Sequence, residues 1–292
     1  MKVGAIYPQV ELKGDPAAFD TFVRAAEALG YESLGLYEHV AGVVREGRDQ
    51  GLLGPYSEKD PFHDPFVAFG YAAAITSRIE LVTGVLVLPQ RQTLVVARQA
   101  ADVDLLSGGR LRLGIGVGWN HIEFESLGED FHTRGRKMSE QMVLLRKLWA
   151  ENPLSFEGKF HRLDRVGINP LPRRAIPIWC GGITEPAYRR AAKLADGFIF
   201  AGPFDEIILP GLRRIGEMLL EEGRTPARFG NEYQLPDGIG VEESIDLARR
   251  WQDAGGSHVA VKTLGLGFTE VAQHIDYIAE AANRLGLKAR PS

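Results

Sequence analysis

The chain has 292 residues, of which 45% are hydrophobic and 25% charged, and its formal net charge is −4 at pH 7. This composition is ordinary for a globular protein, and the length is within the range of a single α/β barrel domain. The negative charge and the lack of a basic run with interleaved aromatic residues argue against a general nucleic-acid-binding protein, and the lone cysteine, Cys180, excludes an internal disulfide bond and a multi-cysteine zinc site.

Short apolar runs alternate along the chain with amphipathic stretches of helical periodicity. Asp15-Pro16 and Asp64-Pro65 each place a capping carboxylate before a proline, which predicts a helix start. The region 151–175 contains several prolines and is expected to be an insertion without a strong helix. In chain order the predicted elements are strand 3–7, helix 15–29, strand 33–37, helix 64–77, strand 80–88, helix 93–106, strand 111–116, helix 135–149, strand 176–180, helix 184–194, strand 197–200, helix 204–222, strand 229–235, helix 241–254, strand 258–262 and helix 269–285.

Strict alternation of strands and helices indicates parallel strands, which either close into a barrel or form a doubly wound open sheet. The even spacing of eight units favours the barrel. No G-x-G-x-x-G motif opens a helix after the first strand, which weakens the dinucleotide-binding alternative. The sequence therefore predicts one α/β domain over residues 1–292, a single (β/α)8 TIM barrel with insertions in the βα loops.

The active site of such a barrel lies at the carboxyl ends of the strands, on the loops that lead into the helices. The two long loops, 38–63 and 117–134, are therefore expected on the functional face. The turn Ser107-Gly108-Gly109-Arg110 leads from a helix into a strand and is expected on the opposite face, where its glycines are structural.

Glu38-His39 stands at the end of the second predicted strand, so the His39 imidazole is expected at the mouth of the barrel. An imidazole exchanges a proton near neutral pH, which suits general acid–base chemistry. The alternative is a histidine that stabilises the loop through hydrogen bonds.

Two glycine-rich segments follow predicted strands. Gly181-Gly182-Ile183-Thr184 precedes a helix, where backbone N–H groups and the helix N-terminus can hold a phosphate; a tight strand-to-helix turn is the alternative. Gly116, Gly118 and Asn120 belong to a run of alternating glycines on which a flat ring system can lie. Close packing inside the barrel explains those glycines equally well.

Other polar residues support less specific interpretations. Glu123 and Glu125 are expected to be solvated acids in a loop rather than catalytic groups. The histidines do not have the spacing of metal ligands, so no metal site is predicted. Cys180 precedes the glycine pair and could line the pocket, but a small buried thiol is the commoner outcome.

An ordered set of motifs over roughly residues 1–200 resembles the luciferase-like monooxygenase superfamily, and more closely its deazaflavin-dependent branch. No single motif is decisive, but the ordered set is highly specific. The motifs are Glu38-His39-Val40, Asp64-Pro65-Phe66, the runs 76–81 and 84–89, Leu106-Ser107-Gly108-Gly109-Arg110, Gly116-Val117-Gly118-Trp119-Asn120 with Glu123-Phe124 and Leu127-Gly128, Arg134-Gly135, Leu148-Trp149, Gly181-Gly182-Ile183-Thr184 and Ala195-Asp196-Gly197-Phe198.

The resemblance implies roles for several positions. His39 matches the family's histidine beside the flavin-like ring and is the candidate for proton transfer, with Glu38 in place of the usual aspartate. An irregular, often cis, peptide on the third strand of the family supports the back of the ring, and it maps to Gly84, Val85 and Leu86. The glycine-rich end of the fourth strand resembles the ring-binding edge, and Gly181-Gly182 resembles the phosphate cradle. Deazaflavin sugar-phosphate dehydrogenases carry a catalytic glutamate where this chain has Trp119, which argues against a sugar-phosphate substrate.

The leading hypothesis from the sequence is hydride transfer between the deazaflavin coenzyme F420 and an organic substrate. The alternatives are a monooxygenase that uses reduced FMN and oxygen, and a flavin-binding protein without turnover. Tyr56, Phe62 and Trp119 on the long loops hint at an apolar or aromatic ligand. A homodimer is expected because the family commonly forms one, and a cytoplasmic location because the sequence shows neither a signal peptide nor a membrane span.

Overall fold

Short apolar strands, each followed by a helix that packs on its outer side, close into a barrel of eight parallel positions. The computed structural model describes residues 1–48 and 54–289. This architecture confirms the predicted α/β barrel with long βα loops. Residues 49–53 of the predicted loop 38–63 lie outside the described residues.

The barrel strands and the surrounding helices follow one another in regular order. The barrel strands are β1 (Lys2–Ile6), β2 (Ser33–Leu36), β3 (Glu80–Thr83), β4 (Leu86–Val87), β5 (Leu111–Gly116), β8 (Ile178–Gly181), β9 (Gly197–Ala201), β10 (Gly230–Gln234) and β11 (His258–Val261), and a separate hairpin consists of β6 (Leu154–Glu157) and β7 (Arg162–Val166). The helices are α1 (Pro16–Ala28), α2 (Pro65–Ile75), α3 (Thr93–Leu106), α4 (His121–Ser126), α5 (Arg134–Leu148), α6 (Glu185–Leu194), α7 (Leu209–Glu221), α8 (Val241–Asp253) and α9 (Val271–Arg284).

The barrel closes because the first strand pairs with both the second and the last. Lys2 of β1 stands opposite His258 of β11, and the remaining strands follow in chain order around the barrel. Leu81 of β3 stands opposite Leu111 of β5, while β4 continues along the same neighbour with Leu86 opposite Ile115. The segments β3 and β4 therefore share one barrel position.

Side chains alternate between the two sides of each strand. Ala5 and Leu81 face outward and are fully buried in the main hydrophobic core between strands and helices. The alternate positions face inward, where Val82, Trp179 and Ile199 form a small cluster. Burying these side chains on both sides of the strands supplies the dominant stabilisation of the fold.

A charged cluster fills the amino-terminal end of the barrel interior. Arg112 Nε lies 2.9 Å from a Glu80 carboxylate oxygen, and its Nη1 lies 2.8 Å from Glu232. The guanidinium also lies 4.2 Å from the ring centroid of Trp179. Paired charges therefore occupy this end of the barrel interior, and the long loops lie at the opposite end, at the carboxyl ends of the strands.

The two predicted helix starts are confirmed. Asp15 accepts a hydrogen bond of 2.8 Å from the Ala17 amide, and Asp64 accepts one of 2.9 Å from the Phe66 amide, each with a proline at the start of the helix. Both carboxylates satisfy N–H groups that have no partner within the helix. Within residues 1–48 and 54–289, no helix has the length and apolar character needed to cross a membrane.

Four segments differ from the sequence-based expectation. The single strand predicted over 80–88 is divided by a cis peptide between Gly84 and Val85, which confirms the irregular peptide that the family resemblance implied for this region. The insertion 151–175 contains the hairpin β6–β7, and the loop 117–134 contains the short helix α4. The predicted helix 204–222 begins with a wider π-helical turn over Phe204–Ile208.

Candidate active site

The predicted site residues come together at the carboxyl ends of four neighbouring barrel positions. His39 follows β2, Val85 stands between β3 and β4, Gly116 ends β5, and Gly181 ends β8. Parallel strands bring residues that are far apart in sequence to one edge. We refer to this end of the barrel, at the four named residues, as the barrel mouth.

Three aromatic rings surround His39. Its ring centroid lies 5.2 Å from Tyr56, 5.0 Å from Phe62 and 5.4 Å from Trp119, and its side chain is 11% exposed. Tyr56 and Phe62 come from the loop after β2, and Trp119 comes from the segment after β5. Residues of both long loops therefore surround the imidazole. This agrees with the expectation that the two loops lie at the carboxyl ends of the strands.

A buried carboxylate holds the segment that carries His39. Glu123 is 1% exposed, and its Oε1 accepts hydrogen bonds from the amides of Val40 at 2.6 Å and Ala41 at 3.1 Å. Its Oε2 lies 3.4 Å from His39 Nδ1. Burial raises the pKa of Glu123, but the hydrogen bonds from His39 and Ala41 outweigh that effect and leave the pKa below its ordinary value.

The expectation of a solvated acid was therefore wrong for Glu123, whereas Glu125 is exposed. A helix start was the missed signal. Asn120 caps α4, since its Oδ1 accepts from the amides of Ile122 at 3.2 Å and Glu123 at 3.4 Å. An Asn-x-x-Glu run of this kind is close to the capping-box pattern.

Glu38 is 4% exposed and bound on both carboxylate oxygens. One oxygen accepts from the Val87 amide at 2.6 Å, and the other accepts from Arg91, whose Nε lies 2.6 Å away. Arg91 also reaches Asp64 at 2.7 Å. Burial lowers the pKa of Arg91, but the two carboxylates outweigh it and raise that pKa overall. Glu38 thus ties the end of β2 to the segment after the cis peptide through Arg91, a residue that the sequence analysis did not single out.

Val85 and Leu86, on the carboxyl side of the cis peptide, differ in their surroundings. Leu86 is fully buried in the main core, whereas Val85 is half-buried and packs beside the inward-facing cluster. A Cβ on Gly116 would lie 2.6 Å from Val85 Cγ2, and a Cβ on Gly181 would lie 2.8 Å from Cγ1. The glycines therefore make room for the Val85 side chain, and the peptide oxygen of Gly84 lies 3.4 Å from Gln234 Nε2.

Gly118 has a comparable reason. A Cβ there would lie 2.6 Å from Val87, and its φ of +72° is a conformation that favours glycine. Close packing within the chain thus accounts for the glycine run at the end of β5. Gly116 makes room for Val85, and Gly118 makes room for Val87.

The turn Gly181–Thr184 leaves backbone donors at the surface. Gly182, Ile183 and Thr184 are exposed, and Gly182 has a φ of +147°. Within the described ranges 1–48 and 54–289, the amides of Ile183 and Thr184 donate no hydrogen bond. Helix α6 begins at Glu185, and Thr184 makes no side-chain cap bond. These donors and the helix N-terminus together can hold an anionic group.

The opposite side of the mouth carries a lysine that the sequence analysis did not identify. Lys262 Nζ lies 2.7 Å from Asp237 Oδ1 and 5.9 Å from the ring centroid of Tyr37, and the lysine side chain is 8% exposed. The strand predicted over 258–262 could have revealed this lysine. Residues of a strand alternate between its two sides, so Lys262 lies on the same inward side as His258.

Cys180 and His161 lie outside the mouth. Cys180 Sγ is buried 3.9 Å from Met142 Sδ, and burial raises the pKa of the thiol to about 12. His161 lies on the β6–β7 hairpin, bound to Glu140 at 2.8 Å. In the part of the chain that the structure describes, no group of three or more His, Cys, Asp or Glu side chains is arranged to hold a metal ion.

Comparison with known proteins places this geometry in context. The sequence model of the luciferase-like monooxygenase family matches residues 3–234. An uncharacterised protein of Mycobacterium tuberculosis is 28% identical over 260 residues, which cover 87% of this chain and 88% of the relative. The pyrimidine monooxygenase RutA of Variovorax paradoxus is 28% identical over 214 residues, which cover 69% of this chain and 56% of the relative.

Among solved structures, an F420-dependent secondary alcohol dehydrogenase in complex with an F420–acetone adduct superposes with a TM-score of 0.78. The superposition covers 97% of this chain and 98% of that one at 15% sequence identity. At this identity the match shows that the fold is shared.

Proposed function

The chain belongs to the luciferase-like monooxygenase family, and from that premise we propose that it transfers a hydride between the deazaflavin coenzyme F420 and a small organic substrate. The observation that carries the proposal is the placement of His39, Val85 and the Gly181–Thr184 turn around one barrel mouth. A proton-exchanging group, an apolar platform and an anion-binding turn are the parts that a flavin-like cofactor and its substrate require.

The residues at the mouth fit such a cofactor. Val85 offers an apolar surface that exists because Gly116 and Gly181 lack side chains, since a Cβ at either position would come within 3 Å of it. The exposed amides of Ile183 and Thr184 suit a phosphate. Bound F420 would supply the ring carbon that accepts or donates the hydride.

His39 would exchange the proton that accompanies hydride transfer. Its Nδ1 faces Glu123, which leaves Nε2 as the nitrogen available to a substrate. Tyr56, Phe62 and Trp119 around the imidazole would exclude water and favour an apolar or aromatic substrate. The position held by Trp119 offers no carboxylate for a sugar.

A monooxygenase that uses reduced FMN is the second candidate, and the similarity to a pyrimidine monooxygenase favours it. Both cofactors combine a tricyclic ring with a phosphate, so the same platform and turn suit either one. Oxygen consumption separates the two reactions.

Titration of the purified protein with F420 and with FMN, followed by ring fluorescence, tests the cofactor. We expect F420 to bind, and binding of FMN with no binding of F420 would overturn the proposal in favour of the second candidate. Binding without turnover on any of a panel of alcohols, ketones and aromatic substrates would instead support a flavin-binding protein without catalytic function.

The substitution His39→Ala tests the role of the imidazole. We expect cofactor affinity to be retained and turnover to fall by about 10²- to 10⁴-fold, the usual contribution of general acid–base catalysis. The substitution His132→Ala removes an exposed histidine from the other long loop and is the matched control. Turnover by His39→Ala equal to that of the control would refute this role.

A further inference from the structure

Glu123 makes contacts that organise both the backbone and the ring of the His39 segment. It comes from α4, 84 residues further along the chain, and it is almost fully buried. One carboxylate oxygen accepts the amides of Val40 and Ala41, and the other faces His39 Nδ1. A buried carboxylate that accepts two consecutive backbone amides and contacts the neighbouring imidazole restrains the conformation of all three residues.

The identity of the partner decides which ring nitrogen of His39 carries the proton. An ionised carboxylate only accepts hydrogen bonds, so Nδ1 must donate and a neutral imidazole must carry its hydrogen there. Nε2, which does not face Glu123, then carries the lone pair. The low pKa of Glu123 keeps the carboxylate ionised at neutral pH.

We propose that Glu123 is a positioning residue that fixes His39 as the Nδ1–H tautomer and thereby makes Nε2 the proton acceptor during substrate oxidation. This inference rests on the proposed role of His39. In the oxidative direction the substrate O–H or N–H bond breaks as the Nε2–H bond forms, and a C=O or C=N bond forms as the adjacent C–H bond breaks. The hydride from that C–H bond is what oxidised F420, when bound, would accept. The imidazolium that results lies against the negative charge of Glu123, and the reverse reaction returns the proton.

Glu140 of α5 makes a similar contact with the hairpin β6–β7, although its two amides are bound by different carboxylate oxygens. Glu140 accepts the amides of Lys159 at 2.7 Å and Phe160 at 2.9 Å, and its Oε1 lies 2.8 Å from His161 Nδ1. His161 Nε2 lies 2.6 Å from Thr93 Oγ1, so this imidazole is fully engaged in holding the hairpin. The chain therefore contains a matched control for the carboxylate–imidazole contact outside the mouth.

The substitutions Glu123→Gln and Glu140→Gln, compared with the unsubstituted protein, test the proposal. In Glu123→Gln the glutamine oxygen can still accept the amides of Val40 and Ala41. Its NH2 group then donates to His39 Nδ1 and so favours the Nε2–H tautomer. The tautomers are read from the imidazole nitrogen shifts in long-range ¹H–¹⁵N spectra at pH 8, with His39→Ala used to assign the signals.

We expect Nδ1–H for His39 in the unsubstituted protein and Nε2–H in Glu123→Gln. Turnover should fall by about 10²- to 10⁴-fold in that variant, because an inverted tautomer removes the proton acceptor, while F420 affinity and KM change by less than about threefold. Glu140→Gln should leave kcat unchanged, because its contact with His161 lies outside the mouth.

An Nε2–H tautomer in the unsubstituted protein would overturn the proposal, and so would full turnover by an inverted Glu123→Gln variant. The first measurement needs no variant, so the proposal stays testable if Glu123→Gln does not fold. Full turnover by His39→Ala would refute the proposed role of His39, whereas the tautomer spectra report on Glu123 independently of turnover.

Discussion

The substitution Gly116→Ala tests whether the glycines at the mouth exist to seat Val85. The added Cβ would lie 2.6 Å from Val85 Cγ2, whereas carbon atoms in ordinary contact are about 3.5–4.0 Å apart. Gly116 is buried and does not have a positive φ, so its backbone accepts alanine and the cost arises from this contact. Val85 must therefore shift by about 1 Å toward the mouth.

The expected magnitude follows from two opposing effects. Overpacking a buried site destabilises a protein by about 1–3 kcal/mol, and replacing glycine by alanine offsets about 0.4–1 kcal/mol through the unfolded chain. We expect the free energy of unfolding to fall by about 1–2 kcal/mol. Under the proposed function, Val85 would move into the space of the cofactor ring. Cofactor binding should then weaken by about tenfold, which corresponds to about 1.4 kcal/mol.

Urea denaturation measures the stability, and fluorescence titration measures the cofactor affinity. Gly216→Ala is the matched control, because no atom lies within 4 Å of a Cβ at this position in α7. We expect the control to gain about 0.5–1 kcal/mol of stability and to bind the cofactor normally. The double variant Val85→Ala/Gly116→Ala removes the clashing methyl group and should recover most of the lost stability.

Normal stability and affinity in Gly116→Ala would refute the packing argument. Failure of Val85→Ala to relieve the loss would show that the alanine acts on another neighbour. A loss of stability without a loss of affinity would leave the packing argument intact but remove Val85 from the cofactor site.

Two further outcomes test the buried charged and titratable groups of the structure. Arg91→Met leaves the Glu38 carboxylate buried without its cation, so the free energy of unfolding should fall by about 3–5 kcal/mol in urea denaturation. The control Arg98→Met, in an exposed ion pair, should change the free energy of unfolding by less than about 1 kcal/mol. Equal effects of the two substitutions would contradict a stabilising role of Arg91 toward Glu38. Burial lowers the pKa of His274 to about 4, whereas an unfolded histidine titrates near about 6.5. The unfolded chain thus binds more protons as the pH falls, and His274 should lower the free energy of unfolding by about 1–2 kcal/mol from pH 7 to pH 5. Urea denaturation of His274→Gln at the two pH values should lack this decrease. A pH dependence equal to that of the unsubstituted protein would refute the role of His274.

Local signals in the sequence were sufficient for the alternating strands and helices of the barrel and for the face on which the site lies. Asp15 and Asp64 act as caps because a carboxylate next to a proline satisfies amides only two residues away. The placement of His39 at the mouth also follows locally, since it depends on where β2 ends.

Local signals did not reveal the interruption of the third strand or the hairpin in 151–175. The residues from Glu80 to Leu88 are mostly Val, Leu and Thr, which is typical of one continuous strand, yet the peptide at Gly84–Val85 is cis in the folded chain. The role of the glycine run at the end of β5 was also undecided from the sequence. The spacing of glycines does not distinguish room for a ligand from room for a side chain such as Val85.

The sequence by itself determined the alternation of strands and helices, hence the barrel, and it determined that His39 and the Gly181–Thr184 turn lie at one end. Only the tertiary structure decided the partners of these residues: Glu123 for His39 across 84 positions, and Arg91 for Glu38 across 53. The physical reason is that periodicity and capping act within a few residues, whereas a buried charge selects its partner by proximity after the strands have closed.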